Sequence, residues 1–121
     1  MQEKDVLDLD VLRPSPVVVK LAGKKIDVSF IPVGITFAVD EIVNKIALMN
    51  AEELAKGGAG AEEAITLTIR LCALFCSVRY PEMDEAWFRE NTNPAQMVAL
   101  ADKIKTTLQD SYEKIEAYQK N

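Results

Sequence analysis

The most apolar stretch of the chain spans residues 61–78 and reads AEEAITLTIRLCALFCSV. Drawn as a helix, its apolar positions cover most of the circumference, and a helix that is apolar nearly all round is enclosed by other elements. We therefore predict a central core helix over residues 61–79. Arg70 interrupts this pattern. Its side chain can reach solvent along its aliphatic stem, pair with Asp40 or Glu85, or bind a ligand.

A β-hairpin is predicted over residues 17–31. Two segments rich in β-branched residues, VVVKL and IDVSFI, flank the sequence AGKK, in which Gly23 supplies a turn conformation. Ile26, Val28 and Phe30 alternate with polar residues and so share one face. Because a lone two-stranded hairpin is marginal in water, this face is expected to pack on the central helix.

Val33 and Gly34 are expected to form a turn, and an amphipathic helix is predicted over residues 37–56. Its apolar residues recur at spacings of three and four, which is typical of a helix with one buried face. Thr36 or Asp40 is expected to cap its N-terminus. The sequence GGAG at residues 57–60 is expected to end the helix and to form a flexible linker.

A short helix is predicted over residues 82–90. Pro81 precedes it and acidic residues fill its first turn, both of which favour a helix start. Met83, Trp87 and Phe88 then recur at helical spacing and are expected to form an apolar cluster.

A long final helix is predicted over residues 94–119, with Thr92 or Asn93 as its N-cap. Its apolar stripe thins beyond Leu108, where the sequence carries more charge. This second half is expected to project from the core. There it either frays, since tertiary packing stabilises most helices, or contacts a second copy or a partner. Its candidate contact residues are Tyr112, Ile115 and Tyr118.

These elements predict one globular domain over residues 17–121, mainly α with an N-terminal β-hairpin (α+β). The hairpin is followed by three main helices and one short helix, arranged around the central helix. Residues 1–16 end in the sequence RPSP, which blocks regular structure. They are expected to form a flexible tail or an arm that docks on a neighbouring subunit or a partner.

Composition argues against several classes of function. The net charge of −5 argues against nucleic-acid binding. The chain has no histidine, and Cys72 and Cys76 are expected to be small buried residues of a reducing compartment. No pattern marks a catalytic residue, a metal site or a cofactor site, so we expect a protein that is not an enzyme. No signal peptide or membrane span is apparent, which indicates a cytoplasmic protein.

Two segments carry a resemblance to a known family. The first, VKLAGKKIDVSFIPVGITFAVDEI, is a hairpin with the pattern G-K-x-x-x-V-x-F that leads into a helix. The second, PEMDEAWFRENTNPAQMVALADKI, is the short helix with Trp87 and Phe88 followed by the capped final helix. Over about residues 17–108, the chain resembles the tail assembly chaperones of tailed bacteriophages. Members of that family are often nearly all helical, so the hairpin departs from their pattern.

The resemblance implies a non-enzymatic protein in the cytoplasm of a bacterial host. Such chaperones bind the long helical tape measure protein and help tail tube subunits to assemble around it. They often self-associate, so a homo-oligomer is expected. Two alternatives stay open: a structural or adaptor protein of a phage or prophage tail or head–tail region, and a small helical ligand-binding domain that uses Arg70. The candidate partner-binding residues are Trp87, Phe88, Tyr112, Ile115 and Tyr118.

Overall fold

The computed structural model describes residues 6–49 and 59–120. It has an N-terminal two-stranded antiparallel hairpin followed by four helices, which confirms the predicted α+β class. A short 3-10 helix precedes the hairpin. In chain order the elements are the 3-10 helix Leu9–Leu12, β1 Val18–Leu21, β2 Lys24–Asp27, α1 Val33–Ala47, α2 Ala59–Cys76, α3 Glu85–Asn91 and α4 Pro94–Lys120.

The hairpin turn is tighter than predicted. Leu21 pairs with Lys24, so the turn consists of Ala22 and Gly23 alone. Both residues have positive φ, 49° and 81°, which is the conformation of a type I′ turn. The second strand is also shorter than predicted, because the carboxylate of Asp27 accepts a hydrogen bond from the Ser29 N–H and turns the chain out of the sheet.

Helix α1 begins at Val33, earlier than the predicted residue 37. Pro32 stands at the cap position, where its missing N–H costs nothing. The prediction that Thr36 or Asp40 caps the helix was wrong, since the Thr36 hydroxyl donates to the carbonyl of Pro32 from within the first turn. The helix ends at Ala47, and the predicted continuation over residues 50–56 lies outside the described residues.

The central helix α2 starts two residues earlier than predicted, and it ends at Cys76. Ala59 and Gly60, which were expected to belong to a linker, are its first residues, whereas Gly57 and Gly58 lie outside the described residues. A turn over residues 77–79 follows the helix. Val78 was expected to be buried and is instead half exposed, because it lies on this turn.

The start of α3 differs from the prediction, whereas the cap of α4 agrees with it. Asp84 caps α3 by accepting a hydrogen bond from the Trp87 N–H at 2.9 Å, so the helix begins after residue 84 rather than at residue 82. Asn93 caps α4 reciprocally with Gln96: each side chain accepts from the other residue's N–H at 2.9 Å. The prediction of Asn93 as one of two possible caps is thereby confirmed.

The hydrophobic core lies around α2, which packs against the other three helices. Buried hairpin residues Leu21, Ile26 and Val28 belong to the same core. The Tyr80 hydroxyl donates to the carbonyl of Lys25 at 2.8 Å, and the Thr107 hydroxyl of α4 donates to the carbonyl of Val28. Ile26 and Val28 of the predicted hairpin face therefore share a core with α2, whereas Phe30, expected on the same face, is only half buried.

Candidate interaction surface

The second half of α4 extends past the core. Leu108 is the last buried residue of the helix, and from Gln109 to Gln119 every side chain is exposed except that of Ser111, which is half buried. Three large apolar or aromatic residues lie here at helical spacing on one side of α4: Tyr112, Ile115 and Tyr118. We call these three residues the α4 strip. Tyr112 is 40% exposed, Ile115 is 54% exposed and Tyr118 is 57% exposed. Their exposure leaves apolar area available to another molecule.

Part of the α4 strip lines an open groove of about 1220 Å³. One wall is the second half of α4, with Ile115 and Tyr118, and the other includes part of the segment 6–16, which we call the arm. Phe30, which follows β2, also lines the groove. Both positive and negative side chains border the groove, among them Lys103, Asp110, Glu113 and Lys114.

Tyr112 lies at the side of the strip that faces α1. Partial burial, together with the carboxylate of Asp40, raises the pKa of Tyr112 above its usual value. On α1, Val33 and Phe37 lie on the same face as Asp40 and are 84% and 78% exposed. Sequence periodicity did not single out this exposed face, because Val33 was assigned to a turn and Phe37 was counted with the apolar positions of the helix.

Trp87 and Phe88 are placed differently from the α4 strip. Phe88 is fully buried, and Trp87 is half buried with its ring edge-to-face on that of Phe88 at 5.0 Å between centroids. Neither residue lines the groove. The five candidate residues therefore divide into a core pair on α3 and an exposed set on α4, and the exposed set offers the larger contact area.

Arg70 has a mainly exposed side chain, and its Nε lies 3.9 Å from Oε1 of Glu85. This is one of the two ion pairs considered from the sequence. Arg70 lines neither the groove beside α4 nor a shallower one of about 770 Å³ between the starts of α2 and α4. Its position does not favour a ligand-binding role.

The two cysteines belong to the core of α2. Burial raises the pKa of the Cys76 thiol to about 12 and also raises the pKa of the Cys72 thiol. Both groups therefore stay protonated at neutral pH, and a protonated thiol is a poor nucleophile. Cys72 Sγ lies 3.8 Å from the carbonyl oxygen of Met97, to which it donates.

Residues 6–49 and 59–120 contain neither a cluster of metal-binding side chains nor a membrane-spanning helix. No set of three or more cysteine, aspartate or glutamate side chains lies close enough together to hold a metal ion. Within the same ranges, no helix combines the length and the apolar character needed to cross a membrane.

Comparison with known proteins gave no match: no family model, no curated protein and no solved structure matches the chain.

Proposed function

We propose that this chain is a non-enzymatic tail assembly chaperone of a phage or prophage, which binds the tape measure protein and aids assembly of the tail tube. The resemblance over about residues 17–108 supports the proposal. The element order on which that resemblance rests, a hairpin, two long helices, a short helix with Trp87 and a capped final helix, is the order of the fold. Its function is binding rather than chemistry.

The observation that carries the proposal is the exposed α4 strip beside an open groove. An amphipathic helix binds by laying its apolar face into such a groove, with contacts at i, i+3 or i+4, and i+7. Residues 109–119 extend about 16 Å along the helix axis, which matches about three turns of a partner helix. A long helical protein such as a tape measure protein supplies many segments of this kind.

The charges around the groove suit a helical partner. Two basic residues, Lys103 and Lys114, lie at its border together with two acidic residues, Asp110 and Glu113. Polar and charged residues at the rim of an interface fix orientation and specificity more than they add affinity.

The proposal is tested by co-expression with a tape measure protein. The gene is expected to lie between a major tail protein gene and a very long tape measure gene, and that neighbour supplies the partner. The soluble fraction of the tape measure protein is then measured with the wild-type chain and with an Ile115→Ser/Tyr118→Ser variant. The matched control is Lys105→Ser/Gln109→Ser, which changes two exposed residues of the same helix that do not line the groove.

We expect the wild type and the control to keep the tape measure protein soluble and the Ile115→Ser/Tyr118→Ser variant to lower its soluble fraction several-fold. Equal solubility with all three chains contradicts a role for the α4 strip. A tape measure protein that is equally soluble without this chain contradicts the proposed function itself.

A structural or adaptor subunit of the phage tail is the second candidate, and the exposure of the arm favours it. Every arm residue is exposed except Pro14, which is half buried. Such an arm suits a subunit that becomes fixed across a neighbour in a permanent assembly. Mass spectrometry of purified tails distinguishes the two roles, because an adaptor stays in the finished tail and a chaperone leaves it.

A further inference from the structure

The arm presents two leucines to the groove beside α4. Leu9 and Leu12 begin and end its 3-10 helix, and such a helix has three residues per turn, so these two side chains lie on the same side. Both line the groove, and they are 60% and 42% exposed. Two further apolar residues of the arm, Leu7 and Val11, do not line it. The arm therefore has one apolar side that faces the groove.

Two contacts hold the arm in this position. The guanidinium of Arg13 lies over the ring of Phe30, 3.9 Å from its centroid. On α4, the ammonium of Lys114 donates to the carbonyl of Leu12 at 3.3 Å. Neither contact buries Leu9 or Leu12. The arm is thus placed beside the groove while its apolar side stays accessible to another molecule.

The apolar side of the arm and part of the α4 strip line the same groove. On α4, Ile115 and Tyr118 are separated by about 4.5 Å along the helix axis. In the arm, Leu9 and Leu12 are separated by about 6 Å along the axis of the 3-10 helix. These separations are close to those of side chains at i, i+3 and i, i+4 on an α-helix. Each wall therefore offers a pair of apolar residues that successive turns of one partner helix can contact.

The size and charge of the groove favour a protein segment as its occupant. The volume of about 1220 Å³ exceeds the range of about 300–1,000 Å³ that is typical of small-molecule pockets. The described residues that line the groove include three acidic and three basic residues, so neither sign dominates: Asp10, Arg13, Lys103, Asp110, Glu113 and Lys114. A highly charged ligand such as a nucleic acid requires a surface of one sign. An amphipathic helix instead brings apolar side chains together with charges of both signs.

We infer that the arm is a second binding wall for the helix of a partner protein, with Leu9 and Leu12 as its contact residues. The inference rests on the proposed function, because it concerns the same groove and the same partner helix. A helix that packs on a single surface needs an apolar stripe about 100° wide. A helix held between two apolar walls is apolar over a wider arc. The segment of the tape measure protein that binds here is therefore expected to carry a broad apolar stripe.

Paired serine variants of the arm test the inference. Leu9→Ser/Leu12→Ser alters the side of the arm that lines the groove. The matched control, Leu7→Ser/Val11→Ser, changes two apolar residues of the same segment that are more exposed, at 72% and 73%, and that do not line the groove. None of the four residues is buried, so both variants are expected to keep the wild-type midpoint in urea denaturation.

Two readouts are compared between these chains. The first is the affinity for Nile red, a neutral apolar dye that reports an accessible apolar site without any partner. The second is the soluble fraction of the co-expressed tape measure protein. We expect Leu9→Ser/Leu12→Ser to lower both several-fold, because each replacement removes apolar surface from the groove. Leu7→Ser/Val11→Ser is expected to stay close to the wild type in both.

The inference is overturned if Leu7→Ser/Val11→Ser loses as much as Leu9→Ser/Leu12→Ser, because exposure rather than position at the groove then determines binding. It is also overturned if Leu9→Ser/Leu12→Ser keeps the wild-type value in either readout. A tape measure protein that is equally soluble without this chain contradicts the proposed function instead. The affinity for Nile red then decides by itself whether the arm and α4 form one apolar site.

Discussion

Helix α4 carries two isoleucines on one face, about three turns apart, whose environments are opposite. Ile104 is fully buried in the core, whereas Ile115 is 54% exposed on the α4 strip. Replacing each by alanine makes the same chemical change at both sites. The pair therefore tests whether the second half of the helix contributes to folding or is free for another role.

The expected magnitudes differ clearly. Ile104→Ala removes a buried side chain from a packed site and is expected to cost about 3–4 kcal/mol of unfolding free energy. Ile115→Ala loses about 0.5–1 kcal/mol of partial burial, and alanine's higher helix propensity returns a few tenths of a kcal/mol. We therefore expect the second variant to lie within about 0.5 kcal/mol of the wild type.

Urea denaturation followed by far-ultraviolet circular dichroism measures both effects. With a slope of about 1.5–2 kcal/mol/M for a chain of this size, the midpoint for Ile104→Ala is expected to fall by about 2 M. The midpoint for Ile115→Ala is expected to be nearly unchanged. A loss above about 1.5 kcal/mol for Ile115→Ala refutes the division of α4, because that residue would then stabilise the fold as a core residue does.

Four further predictions concern the α4 strip, the hairpin turn, Asp27 and Trp87. Truncation after Leu108 removes the α4 strip, and none of residues 109–119 is buried. The truncated chain is therefore expected to unfold cooperatively and to have a lower oligomer mass in light scattering; an unchanged mass contradicts pairing through α4. Ala22→Asn places a residue suited to positive φ at the hairpin turn and is expected to raise the urea-unfolding free energy by about 0.5–1 kcal/mol, whereas a decrease contradicts the type I′ assignment. Burial alone would raise the pKa of Asp27, but hydrogen bonds from the Ser29 hydroxyl and N–H, with smaller contributions from others, lower it below 3.8. A carboxyl whose pKa is lowered by folding stabilises the fold above its pKa in the unfolded chain, and this stability is lost as pH falls through its pKa in the folded chain. Asp27→Asn is therefore expected to flatten the dependence of the unfolding free energy on pH below about pH 4. An unchanged slope counts against this role of Asp27. Trp87→Ala is expected to cost about 2–3 kcal/mol in the same denaturation assay, with Trp87→Phe retaining most of the stability; a loss below 0.5 kcal/mol for alanine shows that the ring is not part of the core.

The core helix was predictable because its signal is long and redundant. Over residues 61–78 most positions are apolar, so the error of a few residues at each end does not change the inference. The cap at Asn93 was also predictable, since Pro94 follows it and Gln96 stands where a capping box needs an acceptor. Signals of this kind are local, so they can be recognised without knowledge of the fold.

Other features depend on tertiary context and escaped prediction. Gly34 made the start of α1 read as a turn, although glycine is tolerated in a first turn behind Pro32. The short helix was expected to begin at residue 82 behind Pro81, whereas the side chain of Asp84 caps it and α3 begins at Glu85. The contact of the arm with α4 joins residues far apart in sequence, such as Leu12 and Lys114, and no periodicity encodes such a pairing.

The α4 strip was predicted, yet its groove was not. The thinning of apolar residues beyond Leu108 indicated that the helix leaves the core, which the exposure of Ile115 and Tyr118 confirms. The opposite wall comes from the arm and from Phe30. These residues come to lie beside α4 only once the hairpin has folded. Their residue types can therefore be read from the sequence, but their positions relative to α4 cannot.

The central claim is that the α4 strip and its groove receive a helix of the tape measure protein. Amide hydrogen exchange, measured on this chain alone and in complex with the tape measure protein, tests it most directly. We expect slower exchange over residues 109–119 in the complex than in this chain alone. Unchanged exchange over residues 109–119, with protection confined to another element, would contradict it.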